Sequence, residues 1–235
     1  MTSRRDRVPF DARHFEKLAR AGHHPEPLSV FRDIYRSHHW SGSESPSGAG
    51  AGCDQTIELR RVLPELLREL GVGSMLDLPC GDYGWMRTVE LPVGRYIGAD
   101  LLPEVVAPLA AAFADDRHEF RVLDLTRDSL PAADLLFCRD CLVHLSFADI
   151  RRALANLVRS HIPWLLTTSF PGGEANEDIV TGDWRVLDLA GAPFHLPPPE
   201  RILNEGCTEG GGAFADKSLG LWRTEDLRSL PFLTR

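Results

Sequence analysis

The chain has no apolar run approaching the roughly 18–20 residues that cross a bilayer, which excludes a membrane-spanning helix. Its first residues, MTSRRDRVPFDARHF, are basic but have no apolar stretch behind them, so they do not read as a secretory signal. Positive charge is not in excess: the formal net charge is −8. A nucleic-acid partner, whose phosphates call for a basic groove, is therefore disfavoured. Cysteines are few and unevenly placed: Cys53, Cys80, Cys138, Cys141 and Cys207. An odd count without an export signal points to a reducing cytoplasm. Cys138 and Cys141 form one C-x-x-C, but a structural zinc takes four ligands and no second pair exists. A complete G-x-G-x-x-G fingerprint is also missing.

What is present fits one domain with additions, or two small ones. The chain has 235 residues, and 43% of them are hydrophobic, enough for a single buried core. Residues 9–40 predict two short helices. Phe15, Leu18 and Ala19 share a face behind Asp11, and Val30, Phe31, Ile34 and Tyr35 share another behind Ser29, read as an N-cap. The Ser/Gly-rich stretch 41–54 reads as a flexible linker. Its part 41–52, preceded by Trp40, is also placed to fold over a ligand as a lid. The expected organisation is thus a helical segment with a lid at 1–54 and a main domain at 55–235.

From residue 55 the pattern changes. Leu59, Val62, Leu63, Leu66, Leu67 and Leu70 follow helical spacing and Gly71 ends the run, with Pro64 predicting a kink or a late start. Strands are then predicted at 74–78, 95–100, 119–125, 133–138 and 164–170. Helices alternate with them at 103–113 and 146–160, the latter opened by Ser146 and Asp149 as a capping box. Such alternation implies an α/β fold, a doubly wound and mostly parallel sheet. A proline-rich loop follows at 171–199. Two strands at 200–206 and 217–224, around CTEGGGAFAD, then predict a terminal antiparallel hairpin.

In a doubly wound sheet a ligand sits at the carboxyl ends of the strands, so acids there are informative. Asp77, Asp100 and Asp124 close the first three strands in order. Asp100 is positioned to accept from ribose hydroxyls and Asp124 from an exocyclic adenine amine. Each alone is as consistent with a turn former. The first turn, LPCGDYG, has Pro79 where a glycine is expected and keeps Gly81 and Gly84. A pyrophosphate needs glycines that let it approach backbone amides. A phosphate-free ligand needs less clearance, and an acidic turn suits a cation.

The pieces LDLPCGDYG, YIGAD, FRVLDLT and DLLFCRDCLVHL, followed by the hairpin, resemble class I S-adenosylmethionine-dependent methyltransferases. The resemblance implies a Rossmann-like methyltransferase fold, methyl transfer, and S-adenosylmethionine as cofactor. It places Asp77, Pro79, Gly81, Trp85, Asp100, Leu101, Asp124, Leu125 and Arg139 around that cofactor. Pro79 and Tyr83 depart from the family's pattern. The whole chain, including HHWSGSESPSG and DIVTGDWRVLDLAGAPF, also resembles the mycobacterial sugar 1-O-methyltransferases of methylmannose polysaccharide biosynthesis. That implies a carbohydrate acceptor, such as the 1-hydroxyl of a methylated mannoside.

The stretch CRDCLVHLS lacks the signature of enzymes that methylate base amines. It offers Arg139, Asp140 and His144. If it makes a helical turn, Asp140 and His144 share a face, Asp140 orients the imidazole and His144 acts as base. The other reading is a histidine bonded to a backbone carbonyl. Trp40, Asp183, Trp184, Arg185 and Glu205 are the expected acceptor-binding residues, with Trp184 as core plug the alternative. Glu209, near the terminal hairpin, could also reach the acceptor but reads rather as part of a solvated turn. No metal is indicated, since Glu174, Glu177 and Asp178 follow the fifth strand only on a loop. A homodimer is the expected assembly. Two other functions stay open: methylation of a small natural product or peptide at O or N, and a cofactor-bound partner subunit without activity.

Overall fold

Short apolar runs bounded by turn formers build seven strands. They are β1 (Ser74–Asp77), β2 (Arg95–Asp100), β3 (His118–Val122), β4 (Leu135–Cys138), β5 (Trp164–Ser169), β6 (Arg201–Asn204) and β7 (Ser218–Arg223). They form one sheet in the order β3-β2-β1-β4-β5-β7-β6 in a computed structural model that describes residues 3–40 and 44–233. β1 to β5 are parallel, while β7 runs antiparallel to both β5 and β6. The order of winding reverses beside β1, where β4 lies on the other side. The crevice at the carboxyl ends of β1 and β4 is therefore the place such a sheet offers a ligand.

The longer helices are α1 (His14–Arg20), α2 (Pro27–Ser37), α3 (Ile57–Glu69), α4 (Pro103–Phe113) and α5 (Phe147–Ser160). The two-residue period of a strand sends neighbouring side chains to opposite faces. Met75 and Leu135 join the apolar cluster of α3 and α4, with Leu59, Leu63, Leu67 and Leu109. Leu76 and Leu136 join that of α5, with Leu154 and Leu157.

Several boundaries differ from expectation, each for a local reason. α2 starts at Pro27, with Glu26 rather than Ser29 as its N-cap; proline is pre-set for a helix's first turn. α3 begins at Ile57, so Pro64 lies inside it and does not delay it. β3 stops at Val122: Leu123 N makes a last bond to β2, at Asp100 O (2.9 Å), and the chain then turns, with Thr126 N on Asp124 Oδ1 (2.8 Å). The α5 cap forms as predicted, Ser146 Oγ accepting from Asp149 N at 3.2 Å. Segment 171–199 is not a free loop. Phe170 N bonds Leu187 O at 2.9 Å, and Leu187, Leu189 and Phe194 are buried beside α5 as a cover for that face of the sheet. Of the stretch predicted as a lid, residues 41–43 lie outside the described residues; Pro46, Ser47 and Ala51 line the ligand crevice.

Candidate functional site

The first cavity opens at the carboxyl ends of β1, β2 and β4. Asp77, Pro79, Gly81, Trp85, Asp100, Leu101, Asp124, Leu125 and Arg139 all line it. The turn after β1 is held to β2 by a bond from Cys80 N to Ala99 O (2.7 Å). Gly81 has φ +53°, a left-handed conformation that favours glycine, and a Cβ there would lie 2.5 Å from Ser47 Oγ, so a larger residue would have to displace that side chain. Tyr83, out of pattern in the sequence, points away from the cavity. It is buried among Tyr96, Phe113 and Phe120, with ring centroids 5.1–5.6 Å apart.

The three strand-end acids are not equivalent. Asp77 is 2% exposed and accepts a hydrogen bond from Tyr96 Oη at 2.6 Å. Burial pushes its pKa up to about 7, against the pull of that bond. Asp100 is pushed up to about 6, again by burial, although Leu102 N donates to it at 3.0 Å. Asp124 spends one oxygen on Thr126 N and Oγ1 (2.8 and 2.6 Å) and pairs with Arg127 at 3.1 Å. It serves as a turn former as well as a wall of the cavity.

The segment after β4 is not the helical turn expected from Asp140 onward. Asp140 has φ +51°, and a 3-10 turn begins only at Leu142. Asp140 therefore does not orient the imidazole. Its Oδ2 takes Lys217 Nζ at 2.6 Å and Arg139 Nη1 at 3.3 Å. Burial works against ionisation here, but Lys217 and Arg139 together hold the carboxyl below its usual range. His144 instead has Nδ1 3.0 Å from the main-chain oxygen of Asp183. A carbonyl only accepts, so Nδ1 carries the proton and Nε2 the lone pair. His144 is 7% exposed, and burial pushes its pKa down to about 4. Its ring lies against Trp40, with centroids 4.3 Å apart.

The five residues expected to hold an acceptor divide. Trp40 and Trp184 line a second cavity, which adjoins the first, together with Phe10, Phe170, Phe214, Glu209 and Lys217. Trp40, Ser47, Asp140 and His144 line both cavities. Asp183, Arg185 and Glu205 line neither. The Asp183 carboxylate accepts from Phe15 N (2.8 Å) and Glu16 N (3.0 Å), capping α1 across 168 residues of sequence. Arg185 is 1% exposed and donates to Leu142 O and Leu145 O, both at 2.8 Å. With Gly182 N on His144 O (2.8 Å), these groups fasten the His144 turn. Glu205, 3% exposed, anchors Arg139 at 2.7 Å. All three are spent on support because buried charges and polar groups need partners. Lys217 was not legible as a site residue, because its place depends on a hairpin that folds back from the chain's end, whereas Glu209, one of the acceptor candidates, lines the second cavity.

No protein-family profile matches the chain, and no curated protein is similar to it. Solved structures do match. The 1,6-didemethyltoxoflavin-N1-methyltransferase of Burkholderia thailandensis, with bound 1,6-didemethyltoxoflavin and S-adenosylhomocysteine, aligns with a TM-score of 0.57 at 17% identity, covering 83% of this chain and 86% of that one. Human N-acetylserotonin methyltransferase, in complex with S-adenosylmethionine, aligns with a TM-score of 0.56 at 16% identity. There the alignment covers 89% of this chain, which spans 65% of the human chain's length. The strand order, the antiparallel last pair and these likenesses agree: the chain has the Rossmann-like fold of class I S-adenosylmethionine-dependent methyltransferases.

Proposed function

We propose that this chain is an S-adenosylmethionine-dependent O-methyltransferase acting on a carbohydrate hydroxyl, with His144 as general base. The observation that carries this reading is the wall shared by the two cavities. One cavity holds Asp77 and Asp100 from the ends of β1 and β2 and Asp124 from the turn after β3, the other is ringed by aromatics, and His144 belongs to both.

The first cavity suits a cationic, adenosine-bearing ligand. Asp100 would take ribose hydroxyls, Asp124 the adenine edge, and Asp77 would lie nearest the amino group. A pyrophosphate is poorly served, since Arg139, the cation in the lining, is already bonded to Glu205 and Asp140. Bound there, S-adenosylmethionine supplies an electrophilic methyl group on a sulfonium.

The protein's share is alignment and proton removal. Holding acceptor and methyl in line is worth roughly 7–11 kcal/mol in well-oriented systems. His144, neutral at pH 7, accepts the acceptor's proton at Nε2 while the bond to the Asp183 carbonyl keeps the ring in place. With its pKa held low it is a weak base, so proton transfer accompanies attack rather than preceding it.

The carbohydrate reading is supported by Trp40 and Trp184, whose flat apolar faces suit a sugar ring, beside polar groups suited to its hydroxyls. A methylated mannoside 1-hydroxyl, suggested by the sequence resemblance, is the finer form of this proposal. The test is His144→Ala assayed with labelled donor on a panel of mono- and disaccharides. Turnover is expected to fall at least about 10²-fold, with calorimetric affinity for S-adenosylhomocysteine unchanged. Full activity in the variant would remove the base; wild-type turnover confined to phenols or amines would remove the sugar.

A further inference from the structure

Three charged atoms converge beneath residues 47–50, on the floor of the second cavity. A methyl group added at Gly50 would lie 3.2 Å from Asp140 Oδ2, 3.3 Å from Glu209 Oε2 and 3.3 Å from Lys217 Nζ. The cations around this floor are already neutralised. Lys217 pairs with Asp140 (2.6 Å) and Glu205 (3.6 Å), and Arg139 with Glu205 (2.7 Å) and Asp140 (3.3 Å). In the N-terminal arm Arg4 pairs with Asp216 and Glu174, and Arg5 with Glu177. Glu209 differs. Among the described residues it forms no ion pair, and its partner is the weak donor Cys207 Sγ, at 3.6 Å. Arg139 and Lys217 bring two positive charges, and Asp140, Glu205 and Glu209 bring three negative ones.

From this charge set we infer that Glu209 is a specificity residue of the second cavity, accepting hydrogen bonds from hydroxyls of an uncharged, ring-bearing acceptor and excluding acceptors that carry phosphate or carboxylate. The inference rests on the proposed acceptor role of that cavity. An anion entering there meets the Glu209 carboxylate, and the nearby cations Lys217 and Arg139 are already paired with Asp140 and Glu205, so negative charge outweighs positive around it. Recognition of phosphate normally relies on free Arg or Lys forks or a helix N-terminus. A neutral polyol needs no such group, because Glu209 accepts from it directly and the surrounding rings cover its apolar face. The reaction that supplies the acceptor must therefore deliver a glycoside or free sugar with no phosphate or carboxylate near the methylated position.

The experiment uses the full chain saturated with S-adenosylhomocysteine, whose binding is confirmed calorimetrically in each sample. Methyl α-D-mannopyranoside and α-D-mannose 1-phosphate are titrated separately, followed by ligand-observed NMR. The wild type is expected to bind the neutral glycoside at least tenfold more tightly. Glu209→Gln is expected to lose about 5–10-fold for that glycoside, as a hydrogen bond to a charged group is replaced by one to a neutral group. Glu209→Lys is expected to gain at least tenfold for the phosphate. Equal or tighter binding of the phosphate by the wild type, unchanged glycoside affinity in Glu209→Gln, or no binding of either sugar would each overturn the assignment. Failure to bind S-adenosylhomocysteine would instead overturn the methyltransferase reading itself.

Discussion

Replacing Asp77 with asparagine should make the ligand-free protein more stable, though it lies in the proposed cofactor site. The buried carboxyl has its pKa raised to about 7, against an ordinary value of 3.8. A group whose folded pKa is raised costs nothing below its unfolded pKa. Its penalty grows as pH rises through the interval between the two values and is complete above the folded one. For Asp77 that interval runs from about pH 4 to about pH 7. Three units at 1.36 kcal/mol each come to about 4 kcal/mol. Asparagine keeps the volume, and its amide oxygen can still accept from Tyr96 Oη, so the substitution removes the charge without opening a cavity. At pH 8 the variant should gain up to about 4 kcal/mol, a rise in Tm of roughly 8–16 °C for a chain of this size. At pH 4 the two proteins should unfold together. Thermal melts followed by circular dichroism at pH 4, 6 and 8, without ligand, decide it. A variant equal to or less stable than wild type at pH 8, or a gain that does not grow with pH, would refute the reasoning. The same variant should bind S-adenosylhomocysteine more weakly, an exchange of stability for function seen when a charge is kept in a dry site.

Asp100→Ala should weaken S-adenosylhomocysteine at least tenfold by calorimetry. In the wild type that affinity should fall as pH drops from 8 towards 5, as the raised carboxyls of Asp77 and Asp100 take up protons. Asp183→Ala should cost about 1–2 kcal/mol by removing the cap of α1. Amide exchange at Phe15 and Glu16 should quicken accordingly. The main-chain bond to His144 survives that change, so a collapse of activity without accelerated exchange would contradict the division of labour drawn for this residue.

The strands, the mostly parallel sheet and the terminal antiparallel hairpin were legible because they depend on local patterns. Apolar runs set the sheet, and Asp77 and Asp100 close two of its strands, while Asp124 lies in the turn two residues past the end of β3. The acceptor side was harder to read. GDWR looked like a ligand platform because it groups an acid, a base and an aromatic. Only the fold shows that Asp183 faces α1 and Arg185 faces the carbonyls of Leu142 and Leu145. Asp140 and His144 looked like partners because they are four apart, a spacing that matters only in a helix. A left-handed Asp140 sends its carboxylate to Lys217 instead. The second cavity draws on the N-terminal arm, residues 47–50 and the hairpin, which no single stretch of sequence brings together.

The last long strand reverses a habit of reading. In β1 to β5 chemistry gathers where a strand finishes, so a survey of the sequence looks to each run's final residue. β7 travels the other way, and Ser218 at its beginning is level with Ser169 at the finish of β5. Lys217, one step earlier, thus arrives on the chemical rim from the opposite direction. For this strand the entrance is the working end, and Arg223 at its finish lines neither cavity.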